Sequence, residues 1–423
     1  IANTAWACAT LGVQCPDLFT AIDERASYLA EQGKPQDFAN TVWACATLGV
    51  HCPTFFTAID NRASYLVEQG NPQNIANTAW ACATLGGQCP DLFTAIDNRA
   101  SFFFGDGNAQ NIANTAWACA TLGVQCPTLF IAIDERASFL VEQGTPQAIA
   151  NTAWACATLG VQCPALFTAI DERASYLVEQ GNPQELANTA WALAQLGRQS
   201  RNFFDAFSSR MASILESTNV QDITNLCYSF AILDLAQEYE TEFRLLWSRA
   251  LQLDGNELNG EQSQQLFQTF IMVSRVLELP PPDEVLKAAG FLKNIDISDS
   301  RAQREMSALL EELGFAHQVE ASPFPDRPFV PGLLAIDAAC KDRMIAIEFD
   351  GPSHFLRDVK KDADGVEGRI ENGPTQAKRR FLERLGWKVV NVPWWEWRDA
   401  TRKDQKKKLL TKKLLATRDG RTK

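Results

Sequence analysis

The chain has 423 residues, of which 46% are apolar, and a formal net charge of -12. This length and composition allow two or three packed units, and the lack of any apolar run of roughly 20 residues excludes a membrane-spanning helix. The charge is uneven: residues 291–423 hold 26 Lys and Arg against 21 Asp and Glu, whereas the preceding residues hold 13 against 30. The two parts of the chain therefore meet different electrostatic demands.

A 37-residue repeat fills the first two thirds of the chain. The segment Ile-Ala-Asn-Thr-Ala-Trp recurs with small changes, and degenerate copies follow it; the copies start at Ile1, Phe38, Ile75, Ile112, Ile149, Leu186, Ile223 and near Ser263. About eight units thus occupy residues 1–290. The chain begins inside a unit, so we expect it to be a fragment or a mature product with any targeting peptide upstream.

Each unit has the pattern of two helices. Thr145 and Pro146 form an N-cap and a first-turn proline, and Gly160 ends the first helix. A second helix is predicted from Pro164 to the residue before Gly181. One such hairpin cannot cover its own apolar stripes, so we predict an α-solenoid in which neighbours cover each other. The unit resembles the octotricopeptide and heptatricopeptide repeats of organellar RNA-binding proteins.

Ten of the twelve cysteines are pairs that are copied with the repeat, such as Cys8 and Cys15. Each lies among Ala, Leu and Val, where a thiol acts as a small apolar side chain. The pairs have no His partner at zinc-site spacing. We therefore predict reduced thiols in a reducing compartment rather than disulfides or a metal site.

Two series of residues are candidates for RNA contact within the repeats. The residue just before the repeated block changes from copy to copy, as base-reading positions do in proteins that read one base per repeat; ordinary drift at an exposed position is the alternative. An Arg recurs on the second helix and could follow phosphates, or pair with the Asp two residues earlier. The two series are Asp37, Asn74, Asn111, Ala148, Glu185 and Asp222, and Arg25, Arg62, Arg99, Arg136, Arg173 and Arg210.

Two further series are expected to be structural. The repeated Asn, exemplified by Asn151, is predicted to satisfy backbone groups between units. The repeated Trp, exemplified by Trp154, is predicted to belong to the core. We assign neither series an RNA contact.

A domain boundary is predicted near residue 290, after Pro280–Pro282. Beyond it the pattern changes to a helix, a short strand, a strand hairpin, a helix and a final strand. The predicted ranges are 300–313, 315–321, 333–340, 343–350, 375–385 and 387–392. This order is similar to the core of the PD-(D/E)xK nuclease superfamily.

The motifs within this region resemble a RAP domain. They are Ile-Ala-Ile-Glu-Phe-Asp-Gly-Pro-Ser-His-Phe from Ile345, Thr375 with Lys378, Leu-Gly-Trp-Lys-Val-Val from Leu385, and Pro-Trp-Trp-Glu-Trp from Pro393. Several linked motifs over residues 345–400 are more specific than one short signature. The resemblance implies a nuclease-like α/β core at 291–400. It also implies a role like that of FAST-kinase-like and other organellar RNA-processing factors, in which RAP domains commonly follow helical repeats.

Cleavage by this domain would need carboxylates that hold Mg²⁺ and a group that activates water. Asp337, Glu348 and Asp350 are the candidate metal ligands, with His354 as general acid or base and Lys378 or Arg379 to stabilise developing charge. The superfamily's Glu-x-Lys would place Lys at 350, where this chain has Asp. Lys378 would have to replace it from the helix, and the same polar residues could instead bind RNA or stabilise the local turn.

The segment 401–423 is predicted to be a basic amphipathic tail. From Arg398 onward there are 11 Lys and Arg and 3 Asp and Glu. Lys406, Lys407 and Lys408 could lie along phosphates, or belong to a solvated surface helix.

Three functional hypotheses follow. The first is an RNA-binding factor for organellar mRNA or rRNA, in the mitochondrial matrix or the chloroplast stroma, which needs no cofactor. The second is a Mg²⁺-dependent endoribonuclease. The third is a protein-interaction scaffold, in which the acidic repeats bind a basic partner.

Overall fold

The computed structural model describes residues 1–101, 105, 107–282, 300–324, 334–358 and 370–416. The described chain forms two compact units. One holds residues 1–101, 105, 107–193, 200–210 and 357–358, and the other holds 194–199, 211–282, 300–324, 334–356 and 370–416. The predicted boundary near residue 290 lies outside the described residues.

The first helix of each repeat is set by its two ends. A proline starts most of these helices in the first turn, and a glycine in the left-handed region ends several of them, as Gly160 does at φ 64°. Only glycine adopts this φ without strain. The first helices are Ala2–Thr10, Pro35–Leu48, Pro72–Thr84, Ala109–Leu122, Pro146–Leu159 and Pro183–Gln195.

The predicted second helix is two short helices, so the expectation of one continuous helix was wrong. The break falls at the repeated Arg, as at Arg173, whose φ of -104° and ψ of 17° leave the helical region. The second helices are Pro16–Glu24, Pro53–Asp60, Pro90–Asn98, Pro127–Glu135 and Pro164–Glu172. The third helices are Ala26–Gln32, Ala63–Gln69, Ala137–Gln143 and Ala174–Gln180. The corresponding segment of the third repeat lies partly outside the described residues.

The first helices of successive repeats pack directly against each other. Their contact faces are built from small side chains, such as Ala153, Ala155 and Cys156, each fully buried. The two thiols of a repeat approach closely without forming a disulfide, with 3.5 Å between the Sγ atoms of Cys156 and Cys163. The predictions of an α-solenoid and of thiols as apolar filler are confirmed, since neighbouring helices bury what one hairpin leaves open.

The later part of the array continues the helical pattern. A fully buried Trp247 and Phe243 stack at 6.3 Å between ring centroids and anchor the seventh unit. The helices are Arg201–Leu215, Val220–Ile232, Glu240–Ala250 and Gly260–Val273, with a 3-10 turn at Gly255–Glu257. None of the described helices has the length and apolar character that crossing a membrane requires.

The C-terminal region has the predicted order of helices and strands. A capping box at Ser300 starts the helix Arg301–Glu312. The strands are β1 Gln318–Ala321, β2 Ile336–Cys340, β3 Ile345–Asp350, β4 Phe355–Leu356, β5 Ile370–Glu371 and β6 Lys388–Pro393. The later helices are Gly373–Arg384, Trp394–Asp399 and Lys403–Ala416, with 3-10 turns at Lys341–Arg343 and Pro352–His354.

The main sheet has the order β1-β2-β3-β6. The pairs β1–β2 and β2–β3 are antiparallel, and β6 runs parallel to β3. One side of the sheet packs on the helix Arg301–Glu312 and on the C-terminal helix, whose Leu410 is buried there. The other side packs on Leu382 of the helix Gly373–Arg384 and on Trp387.

Candidate functional site

A pocket of about 280 Å³ lies beside the C-terminal sheet. It is lined by all the residues proposed for chemistry: Asp337, Glu348, Asp350, His354, Lys378 and Arg379. The sheet explains the meeting of the carboxylates. Glu348 and Asp350 lie two residues apart in β3 and therefore on the same face of the strand. The register that pairs Ala338 with Ile347 places Asp337 opposite Glu348.

A buried ion pair is the centre of this pocket. Glu348 is 5% exposed, and its Oε2 accepts a hydrogen bond of 2.5 Å from Lys378 Nζ. Burial raises the pKa of Glu348 to about 8, against the attraction of Lys378, which lowers it. The other carboxylate atom, Oε1, is buried and has no hydrogen-bond partner among the described residues. Lys378 thus reaches Glu348 from the helix Gly373–Arg384.

The remaining carboxylates are held by neighbouring polar groups. Asp350 Oδ2 accepts from Asn391 Nδ2 at 2.6 Å, and its Oδ1 lies 3.4 Å from His354 Nδ1. Burial raises the pKa of Asp350 and lowers the pKa of His354. Asp337 Oδ2 accepts from the Phe349 backbone N–H at 2.7 Å. These bonds fix the carboxylates in place.

Sequence reasoning missed Asn391. It pairs with Glu348 across the parallel β3–β6 register and points its amide at Asp350. The signal that could have identified it is a polar residue within the apolar run Val389–Val392.

The metal prediction does not fit this arrangement. Asp337, Glu348 and Asp350 line one pocket, but in the described part of the chain no three His, Cys, Asp or Glu side chains are grouped so as to hold a metal ion. The physical reason is that an ammonium group, a backbone N–H and a side-chain amide already engage the three carboxylates.

The other basic candidates of this unit are largely paired. Arg379 donates to Glu371 at 2.7 Å. Lys406 pairs with Glu305 at 2.7 Å, and Lys407 pairs with Glu312 at 2.8 Å. The exposed Lys408 follows them on the same helix. The predicted tail is thus a helix docked on its own domain by ion pairs and Leu410, up to residue 416.

The variable residues of the repeats have a capping role that sequence reasoning missed. Each occupies the third position of a first helix, and all but Ala148 accept from the backbone N–H of the residue three earlier, as Asp37 does from Lys34 at 3.0 Å and Glu185 from Asn182 at 2.9 Å. Asn74, Asn111 and Asp222 do the same. The signal was the polar residue three positions after the N-cap. A base contact by these residues stays a prediction.

The repeated Arg joins neighbouring repeats. Arg62 donates to the carbonyl oxygen of Ala30 at 2.9 Å, and Arg99 to that of Val67 at 2.7 Å. The same bond is made by Arg173 to Val141 and by Arg210 to Val178. Arg136 lies over the Phe139 ring, 5.0 Å from its centroid, and Arg25 follows the second helix of the first repeat. A phosphate contact by this series stays a prediction.

The Asp two residues before this Arg bonds to the next repeat, whereas the Arg bonds to the preceding one. Asp134 is 4% exposed, and its Oδ1 accepts from the backbone N–H of Ala165 at 2.7 Å and of Leu166 at 3.3 Å. It thus caps the second helix of the next repeat, where N–H groups lack partners within the helix. In the third repeat, for example, Asp97 and Arg99 tie the repeat to both neighbours through backbone groups.

The repeated Trp is not core, so that expectation was wrong. Trp6 is 46% exposed, and Trp154 is half-buried, as are its counterparts in the other complete repeats. The small residues of the first helix fill the contacts between helices. The Trp lies on a different side of the same helix, so its indole stays on the outer face. The repeated Asn lies one turn earlier on this face, and Asn114 accepts from Gln110 at 2.7 Å rather than from a loop.

These features define a helical-repeat protein that ends in a RAP domain. The RAP domain family model matches residues 347–413, and the model described as RNA-editing substrate-binding complex 6 protein matches residues 3–239. Since the second match covers more than half of the chain, the chain belongs to the RNA-editing substrate-binding complex 6 protein family. The two families indicate RNA binding and RNA processing.

Proposed function

We propose that this protein binds single-stranded RNA in a mitochondrion and acts in the processing, stability or translation of organellar mRNA or rRNA. The observation that carries the proposal is the presence, on one chain, of an RNA-editing substrate-binding family match and a RAP domain. The family match favours the mitochondrion over the chloroplast. Protein partners would bind the acidic second and third helices, and RNA binding would need no cofactor.

In this proposal the repeats hold the strand and the RAP pocket receives an RNA end. Four acidic side chains line the pocket, against two basic ones and His354. The acidic residues are Glu320, Asp337, Glu348 and Asp350. Such a pocket does not attract phosphate by charge. Carboxylates and an amide instead accept and donate hydrogen bonds to ribose hydroxyls and base edges. Contacts to phosphate fall to exposed basic residues such as Lys408.

Filter binding of the full chain to a 5′-labelled 30-nucleotide single-stranded RNA tests this proposal. We expect saturable binding whose affinity falls on the order of 10-fold between 50 and 200 mM salt, because a few phosphate contacts release counterions. Heparin, a polyanion without bases, is the control. Equal affinity for heparin and RNA would contradict the proposal.

A Mg²⁺-dependent endoribonuclease is the second candidate, favoured by the unpartnered Glu348 Oε1 in the pocket. The engaged carboxylates do not fit a metal ion, so we expect end-labelled RNA to stay intact with Mg²⁺ as it does with EDTA. The matched variant is Asp337→Ala. Cleavage that requires Mg²⁺ and is lost in this variant would establish the enzyme and overturn our expectation.

A further inference from the structure

The first helices present one narrow accessible face. In Pro146–Leu159, after the first-turn proline, the positions open to solvent are Gln147, Asn151, Trp154 and Thr158, and the others are buried. Their spacing of four, three and four residues places them on one side of the helix. The same four positions are open in Pro35–Leu48, Pro72–Thr84 and Ala109–Leu122. We call this surface the Gln-Asn-Trp-Thr face.

This face carries almost no charge, although the array is acidic. The helices Ala2–Thr10, Pro72–Thr84, Ala109–Leu122 and Pro146–Leu159 contain no Asp, Glu, Lys or Arg. The acidic residues of these repeats lie on the second and third helices instead, as Asp134 and Glu135 do. The acidity of the array therefore does not repel a nucleic-acid strand from the face directly.

The face supplies one indole per repeat in a continuous series. Successive first helices pack against each other, and packed helices lie about 8–10 Å apart. The series is Trp6, Trp43, Trp80, Trp117, Trp154 and Trp191. Trp6 is 46% exposed and the other five indoles are half-buried, and the repeated Asn lies one helical turn earlier. An aromatic ring beside an amide is the pair of groups that stacks on a base and bonds its edge.

We propose that the Gln-Asn-Trp-Thr face is the RNA-binding surface of the repeats, with one base stacked on each Trp. This inference rests on the proposed function and names its contacts. The Asn and Trp are the same in each of the six clear repeats, so each repeat offers a base the same environment. The array therefore holds single-stranded RNA with little discrimination between successive positions.

The test compares full-length variants for binding to a 20-nucleotide oligouridylate. Trp80→Leu with Trp117→Leu removes two rings but keeps apolar volume, and Trp80→Tyr with Trp117→Tyr keeps the rings. The control is Tyr65→Leu with Tyr176→Leu, which removes two half-buried rings from third helices. All variants are first matched by circular dichroism and thermal unfolding.

We expect the double Leu variant to bind about 25-fold more weakly, since a stacked base is lost at two sites. The double Tyr variant and the control stay within about 3-fold of the parent protein. The slope of affinity against salt stays the same in all of them, because stacking involves no phosphate. Quenching of Trp fluorescence by the RNA falls in the double Leu variant.

The other outcomes separate a failure of this inference from a failure of the proposed function. If the parent protein binds RNA and the double Leu variant binds equally well, the inference is overturned while the proposed function stands. If the parent prefers heparin or binds nothing, both are overturned, and the face is left as a protein-binding surface. A reduced salt slope in the double Leu variant contradicts stacking.

Discussion

Replacement of Lys378 by Met is expected to lower the free energy of unfolding by about 1 to 2 kcal/mol at pH 9, because the buried Glu348 carboxyl loses its partner and must then bind a proton, at about 1.4 kcal/mol per pH unit above its pKa of about 8. The side chains are 21% and 7% exposed, so water does not replace the lost bond. The measurement is urea unfolding across a pH series, followed by a signal from the unit that contains Lys378. The adjacent Arg379→Met is the matched control, since its pair with Glu371 is more exposed and should cost less than about 1 kcal/mol.

The pKa of Glu348 determines how the loss of stability changes with pH. The folded-state pKa of Glu348 is about 8, above the ordinary value of 4.5, so the folded protein holds an extra proton between these values. The stability contributed by this group is present at low pH and is lost as the pH rises through 8. Lys378 lowers the pKa of Glu348, so Lys378→Met raises that pKa further, and the loss should grow from pH 6 to pH 9 as the parent's Glu348 ionises and the variant's does not. Lys378→Met with Glu348→Gln should recover most of it. A loss that is independent of pH would contradict the buried pair.

Replacement of Asp134 by Ala is expected to lower the free energy of unfolding by about 2 kcal/mol, since two backbone N–H groups of the next repeat lose a charged acceptor. Glu135→Ala is the matched control, because Glu135 is the next residue on the same helix and is exposed. We expect the control to change stability by less than about 0.5 kcal/mol.

The same pair of variants tests how repeats are joined. If Asp134 couples one repeat to the next, Asp134→Ala should also broaden the denaturation transition, because the two sides of the array then unfold less cooperatively. Equal losses in Asp134→Ala and Glu135→Ala would show that the capping bond contributes nothing.

The periodicity of the sequence predicted the solenoid, because the apolar positions recur at the same places in the helices of each repeat. Pro146 and Gly160 marked the ends of the first helix correctly. The break at Arg173 was not predictable, because no Gly or Pro marks it and the Arg is engaged with a carbonyl of the preceding repeat. Such a break depends on tertiary contacts, which one repeat's sequence does not contain.

The sequence predicted that the carboxylates, His354 and Lys378 lie close together, which the pocket lining shows, but it did not predict their bonds. Strand alternation placed Glu348 and Asp350 together, and the RAP motif pointed to Lys378. The engagement of Asp350 by Asn391 depends on the register of two strands that lie 41 residues apart. For Trp154, composition suggested burial, whereas the small side chains of neighbouring helices occupy the contact and leave the ring half-open.

The most direct test of RNA binding by this chain is photocrosslinking of the full-length protein to 4-thiouridine-substituted single-stranded RNA, followed by mass spectrometry of the adducts. We predict adducts on first-helix peptides that contain Trp80, Trp117 or Trp154, and further adducts on RAP-domain peptides. The absence of nucleotide adducts from both sets, under conditions in which a known RNA-binding protein is labelled, would contradict the account.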